Sequence, residues 1–445
     1  MSKFGKLNLN YKLMKPFINA ASESDTENYI LFEVSTDEEL KKEEVRTVAI
    51  DFCLVLDVSG SMREPFEGGM TKLDAAVKAA EHLYDFIGEK DTISVVLYDS
   101  QPYVVLSRAK LTSKSDYEHI LRKAYNYGGS TNISAALAQA RQILKASTDS
   151  LKRVIFLTDG LPTVDTEQDG IREGLLLAQD GVVITALGIG RDFNYNFIQE
   201  LTKPSRGTTD HLKTPNEAIS IFAKAFKSAK STVVSDVELT LQFSEKVRVG
   251  EYYRVVPETT YYGKCEMDNN RTVKLKIDDI EYNRLYKYLF QIIVPKLKTP
   301  YEGKFRIATA KISYSILALN QKQEHTIDIV IEHTHDVQKY SSELQTLRET
   351  VMRCQINKLF VKLDEAVKKG DKKSIASILE ELIEKTRELG EIQLEERCLK
   401  MKEDYIARGI ISNEDLIRLG NESTKVNGDG TMDMPDFSSV FSSSK

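Results

Sequence analysis

The sequence predicts an α/β core with a doubly wound, mostly parallel sheet. This core is inserted in an antiparallel β-sandwich and followed by an α-helical region and a disordered tail. Three observations carry the prediction. Between residues 48 and 230, short continuous aliphatic runs alternate with helical stripes, the rhythm of strands buried on both faces by flanking helices. Residues 231–337 alternate apolar and polar positions instead, as strands with one solvated face do, and residues 1–47 share that texture. Residues 338–420 carry apolar side chains at spacings of three and four, the mark of amphipathic helices.

Taken in order, Leu7, Leu9 and Tyr11 alternate, and residues 28–34 form a second strand candidate. Neither can bury a face alone, so residues 1–47 are expected to complete the sandwich formed by 231–337. Residues 52–56, Phe-Cys-Leu-Val-Leu, read as a central strand. Leu73, Ala76, Ala80, Leu83 and Ile87 follow at helical spacing. Residues 93–98 are a strand and 103–106 a short edge strand. Ile133, Ala136, Leu137, Ala140, Ile143 and Leu144 line a helix. Strands at 154–157 and 182–187 are separated by a helix near 171–179, and a helix at 216–228 closes this part. Further strands are expected at 237–243, 273–277, 289–294, 310–317 and 326–331. Helices follow with stripes from Leu344 to Val367, from Ile375 to Ile383 and from Leu394 to Tyr405; the first two stop at Gly370 and Gly390. From residue 421 the chain is rich in Ser, Gly and Asp without an apolar period, and is expected to be disordered.

Composition narrows the function. A net charge of −6 with no Lys/Arg block gives no footprint for nucleic acid. No run of 18 apolar residues offers a membrane span, and the first residues lack the apolar stretch of a signal peptide. The four cysteines, at 53, 265, 354 and 398, follow no disulfide or zinc spacing, which points to a cytoplasmic setting. The six histidines form no HExxH pattern, and His333 and His335 read as a solvated strand face. There is no phosphate-binding GxxxxGK[ST] loop, and Gly188-Ile-Gly190 is too short for a dinucleotide fingerprint. With no nucleophile and base near the polar loops described next, the chain reads as a non-enzyme.

The chemistry concentrates in three loops. Asp57, Ser59 and Ser61 alternate directly after the strand at 52–56, where open α/β sheets place their ligand sites. One carboxylate and two hydroxyls are hard oxygen donors suited to a cation such as Mg²⁺. Thr131 follows Gly128-Gly129-Ser130 before a helix, and Asp159 lies in Thr158-Asp159-Gly160 after another strand. The pattern Asp-x-Ser-x-Ser, then Thr, then Thr-Asp-Gly resembles the metal-ion-dependent adhesion site of von Willebrand factor A domains, which have a Rossmann-like fold. The resemblance implies that Ser59 and Ser61 coordinate the metal directly, and Thr131 directly or through water. Asp57 and Asp159 would hold coordinated waters. It further implies Mg²⁺, alternatively Mn²⁺ or Ca²⁺, and a protein partner that completes the coordination with an Asp or Glu carboxylate. The layout of the whole chain is similar to bacterial von Willebrand A proteins labelled calcium-activated chloride channel homologues, and to inter-α-trypsin inhibitor heavy chains.

Two other functional readings arise. Thr424 and Thr431 stand in the acidic tail, where phosphorylation would create an anionic epitope for an Arg-lined, forkhead-associated-type reader and make the chain a signalling scaffold. The resemblance to bacterial von Willebrand A proteins also allows a substrate adaptor of a MoxR-type ATPase. The tail contains an imperfect calcium-loop pattern, Asn427, Asp429, Gly430, Thr431, Asp433 and Asp436, with Lys425 where the first carboxylate belongs.

Overall fold

The computed structural model describes residues 6–37, 48–147, 150–190, 194–212, 214–317 and 321–424. These residues fall into two compact units, one within Met1–Val45, Thr232–Glu403 and Glu422–Lys445, the other within Arg46–Ser231 and Asp404–Asn421. The N-terminal alternation becomes β1 (Leu7–Leu13), a short β2 (Phe17–Asn19) and β3 (Thr26–Thr36), with β1 and β3 paired antiparallel from Leu7–Thr36 to Leu13–Ile30.

The chain then builds the parallel sheet of the second unit. β4 (Ala49–Asp57) is buried at every position after Ala49. α1 (Lys72–Glu81) opens on a capping box between Thr71 and Asp74. Next come β5 (Thr92–Tyr98), β6 (Pro102–Ala109), α2 (Lys114–Leu121), α3 (Ile133–Lys145), β7 (Ser150–Thr158) and α4 (Glu167–Gln179). β8 (Val182–Ile189), α5 (Tyr195–Thr202), β9 (Thr208–Leu212) and α6 (Pro215–Ser231) complete it. The strand order is β6-β5-β4-β7-β8-β9, and only the edge strand β6 runs antiparallel. Since β4 lies between β5 and β7 with helices over the sheet, its central residues 52–56 are apolar on both faces. Its carboxyl end delivers Asp57 to the loop side.

The chain returns to the first unit with β10 (Thr232–Phe243), β11 (Arg248–Val256), β12 (Thr260–Lys264), β13 (Thr272–Lys276) and β14 (Ile280–Glu281). β15 (Tyr286–Val294), β16 (Gly303–Ile316) and β17 (Gln321–Thr334) follow. One sheet has the order β1-β3-β15-β11-β12; the other is β13-β10-β16-β17-β2, with β14 beside β10. Their facing sides share a core that includes Leu9, Phe32 and Phe290 from the first and Leu239, Ile312 and Ile329 from the second. Strands before and after the inserted unit therefore share both sheets.

The helical region consists of α7 (Val337–Tyr340), α8 (Gln345–Lys369), α9 (Lys372–Leu389), α10 (Ile392–Arg408) and α11 (Asn413–Thr424). α8 lays Leu347, Val351 and Cys354 on the outer face of the first sheet, against Tyr29, Leu31, Tyr253 and Leu289. This is why β3 is apolar on both faces although it sits in an antiparallel sheet. α8 and α9 end on Gly370 and Gly390 in the left-handed region, at φ 65° and 74°. No helix among the described residues is long and apolar enough to cross a membrane.

Two expectations are corrected. The helices extend beyond residue 421: Thr424 closes α11, is buried, and accepts a hydrogen bond at its carbonyl from the Thr259 N–H at 2.9 Å. Thr424 is therefore not part of an accessible tail. Thr431 and the calcium-loop pattern lie outside the described residues. His333 and His335 do not share a solvated face: His333 is buried edge-on against Phe305, whereas His335 is exposed. Burial holds the His333 imidazole below its ordinary pKa.

Candidate metal centre

Asp57 ends β4 and is fully buried, so its carboxylate needs partners within the protein. Oδ1 accepts the Ser59 N–H at 2.9 Å, an Asx turn that swings the chain off the strand. Oδ2 accepts the Thr158 hydroxyl at 2.9 Å and the Tyr98 hydroxyl at 3.2 Å. Both hydroxyls come from the strands flanking β4, and Tyr98 is the residue paired with Asp57 in the β4–β5 register. The parallel ladder thus aligns three strand ends around one carboxyl group.

After the turn, Gly60–Arg63 form one turn of 3₁₀ helix that holds Ser61 beside Ser59, with their hydroxyl oxygens 3.2 Å apart. The Ser61 hydroxyl donates to Asp159 Oδ1 at 2.8 Å, and the Lys72 ammonium donates to Asp159 Oδ2 at 2.9 Å. Asp57, Ser59, Ser61 and Asp159 therefore form one connected cluster. Thr131 arrives by its backbone. Its N–H donates to the Thr163 hydroxyl at 2.8 Å, and its carbonyl accepts from the Thr163 and Val164 N–H groups at 2.9 and 3.1 Å. The Asp165 carboxylate accepts from the first turn of α3, including Ser134 N–H at 2.6 Å, which locks the third loop to the second. The first loop joins the second through Gly60 N–H to the Gly129 carbonyl at 3.0 Å. The Arg63 guanidinium adds bonds to the Tyr125 and Tyr127 carbonyls.

Electrostatics follow from enclosure. Burial, and then the nearby Asp159 charge, push the Asp57 carboxyl up to about 6. Burial also raises the Tyr98 phenol, with the Asp57 charge adding to it, so it remains a donor. For Lys72, burial would lower the pKa, but hydrogen bonds from its ammonium to Glu64 and Asp159 leave it raised. Cys53, buried in β4 with its thiol pushed up to about 12, offers no nucleophile.

The residues fit a hard divalent cation. Two hydroxyl oxygens 3.2 Å apart are close to the ~3 Å separating neighbouring ligands on an octahedron with bonds of about 2.1 Å. Two buried carboxylates supply the negative charge, and all donors are oxygens. Among the described residues no group of three or more His, Cys, Asp or Glu is placed to hold a metal, so a site here must draw on hydroxyls. Sequence reasoning missed Lys72, Tyr98, Thr158 and Thr163 as supports of the cluster. Tyr98 and Thr158 could have been found from the strand ends that flank Asp57 in a parallel sheet; Lys72 and Thr163 carry no local signal.

Known proteins share the fold that carries these loops. Residues 52–161 match the family profile of the von Willebrand factor type A domain. Over 199 residues the chain is 28% identical to inter-alpha-trypsin inhibitor heavy chain H2 of Mus musculus, covering 41% of this chain and 20% of the heavy chain. The alignment thus spans about a fifth of that relative's length. Two solved structures resemble nearly the whole chain. The von Willebrand factor type A protein from Catenulispora acidiphila has a TM-score of 0.74 at 17% identity, covering 96% of this chain and 99% of that one. The ArnB paralogue VWA2 from Sulfolobus acidocaldarius has a TM-score of 0.56 at 17% identity, covering 94% and 98%. Residues 52–161 form a von Willebrand factor type A domain, a class of domain that generally mediates metal-dependent protein–protein interaction.

Proposed function

We propose that the chain is a divalent-metal-dependent protein-interaction module whose A domain captures an Asp or Glu side chain of a partner. One observation carries this reading: the paired hydroxyls of Ser59 and Ser61 beside the buried carboxylates of Asp57 and Asp159, at the carboxyl end of the central strand. Ser59 and Ser61 would hold the cation directly, with Thr131 on the facing loop and Asp57 and Asp159 acting through water. When bound, the cation supplies an electrophilic position for a carboxylate oxygen. The protein's own part is to keep the hydroxyls converged and the carboxylates enclosed. Mg²⁺ is the proposed ion, with Mn²⁺ or Ca²⁺ as alternatives. A cytoplasmic setting belongs to the same proposal, supported by four free cysteines, three of them buried.

The signalling reading fares less well. Thr424 is buried at the end of α11, so only Thr431 is left to it. Calorimetric titration with Mg²⁺ tests the metal reading. Wild type is expected to bind one equivalent, with affinity falling at least ~10-fold in Asp57→Ala and Ser59→Ala. Equal affinities in the three proteins would refute the ligand assignment.

A further inference from the structure

Lys72 is only 4% exposed and stands at the first position of α1, after the Thr71 cap. A helix N-terminus carries positive partial charge and is an unfavourable place for a cation. The ammonium is held there by two carboxylates, Glu64 at 2.6 Å and Asp159 at 2.9 Å. They differ in environment: the Glu64 side chain is 55% exposed and screened by water, whereas that of Asp159 is 1% exposed. The charge of Lys72 therefore acts chiefly on the metal site. Gly190, at the end of β8, leaves space for it. A Cβ there would approach Lys72 Cε to 2.9 Å, and the φ of 87° already favours glycine. This accounts for the second glycine of Gly188-Ile-Gly190 without any nucleotide.

We propose that Lys72 is a specificity-determining residue of the metal centre, selecting an anionic oxygen as the partner's ligand. The inference rests on the metal-dependent reading above. Two carboxylates alone would balance a divalent cation, and a balanced site has little need of a charged ligand. The buried ammonium on Asp159 adds a positive charge that Glu64, exposed and screened by water, offsets only in part, and a carboxylate neutralises the remainder where a neutral carbonyl or water does not. The same ammonium repels the cation, so Lys72 weakens metal loading while it strengthens anion capture. A residue that only oriented Asp159 would support both.

The test uses the full chain, with Mn²⁺ as the metal probe and acetate as the ligand probe, read by water-proton relaxation as acetate displaces coordinated water. Lys72→Gln keeps a donor for Asp159 without the charge; Lys72→Arg keeps the charge. The expected result for Lys72→Gln is acetate bound roughly tenfold weaker, the effect of one charge acting over ~10 Å at an effective dielectric near 20, and Mn²⁺ bound on the order of a hundredfold tighter, since it carries two charges. Lys72→Arg should follow wild type. Mn²⁺ affinity that stays level or falls in Lys72→Gln, or acetate affinity that does not fall, overturns the proposal. If Lys72→Gln does not fold, Lys72→Met, which keeps the bulk of the chain without the ammonium, decides on the same two readouts, and unchanged Mn²⁺ and acetate affinities overturn the proposal. A wild type that binds no Mn²⁺ refutes the metal reading itself, and Lys72 loses its proposed role with it.

Discussion

At the scale of single residues, Asp57 is a carboxylate placed where burial disfavours its charge. Its rise from 3.8 to about 6 corresponds to roughly 3 kcal/mol between folded and unfolded states. The sign is definite. The folded protein holds this proton more tightly than the unfolded chain, so the contribution is present below about pH 4 and is lost as pH rises through 6. In metal-free protein, Asp57→Asn should therefore be the more stable form at pH 7, by up to ~3 kcal/mol, with the gap closing toward pH 4. Mg²⁺ should reverse the order at pH 7 by stabilising only the ionised wild type. Chemical denaturation of both proteins at the two pH values, with and without Mg²⁺, checks this; a gap independent of pH would show that Asp57 is not strained. The ligand-type residues were readable because each lies in a short local pattern: Asp57-x-Ser59-x-Ser61, Thr131 behind two glycines, Asp159 before one. Lys72 was not, since a lysine opening an amphipathic helix looks like surface until the fold places Asp159, 87 residues away, against it.

At the scale of elements, long periodic segments were legible and short ones were not. α2 and α5 have eight residues each and β9 has five, too few for a repeat to declare itself. α4 was anticipated only from residue 171, yet it begins at Glu167 because Thr166 and Asp169 form a capping box ahead of Gly170. The glycines at 170 and 174 weaken the helical pattern for a packing reason. A Cβ at Gly174 would come within 2.3 Å of the Leu201 carbonyl oxygen in α5, and one at Gly170 within 3.0 Å of the Phe197 ring. Gly→Ala ordinarily strengthens a helix interior by about 1 kcal/mol. Gly174→Ala should instead destabilise by about 1–3 kcal/mol, because a backbone atom cannot yield as a side chain can. A thermal melt that rises in this variant would contradict the close approach of α4 and α5.

At the scale of the whole molecule, the chain interrupts an antiparallel unit to build a parallel one and then returns. The shared texture of residues 7–34 and 237–331 hinted at this, since a strand alternating one apolar face must find a partner sheet. The continuous Tyr29-Ile30-Leu31-Phe32 run needed the structure, because it reflects α8 covering the outer face of β3. Phe32 is fully buried and meets Phe290 edge-on at 5.6 Å. Phe32→Ala should therefore cost about 3–5 kcal/mol in denaturant unfolding, as for a central core aromatic. A cost below ~1 kcal/mol would mean that the N-terminal strands are an appendage rather than part of the sandwich.

Everything proposed for the A domain depends on a divalent cation being held by the hydroxyls of Ser59 and Ser61, with Asp57 and Asp159 acting through water. Anomalous diffraction from crystals of the full chain grown with Mn²⁺ tests it most directly. One strong peak is expected within bonding distance of both serine hydroxyl oxygens, with an anionic oxygen or water in the outward position. A peak elsewhere, or none at saturating Mn²⁺, would contradict it.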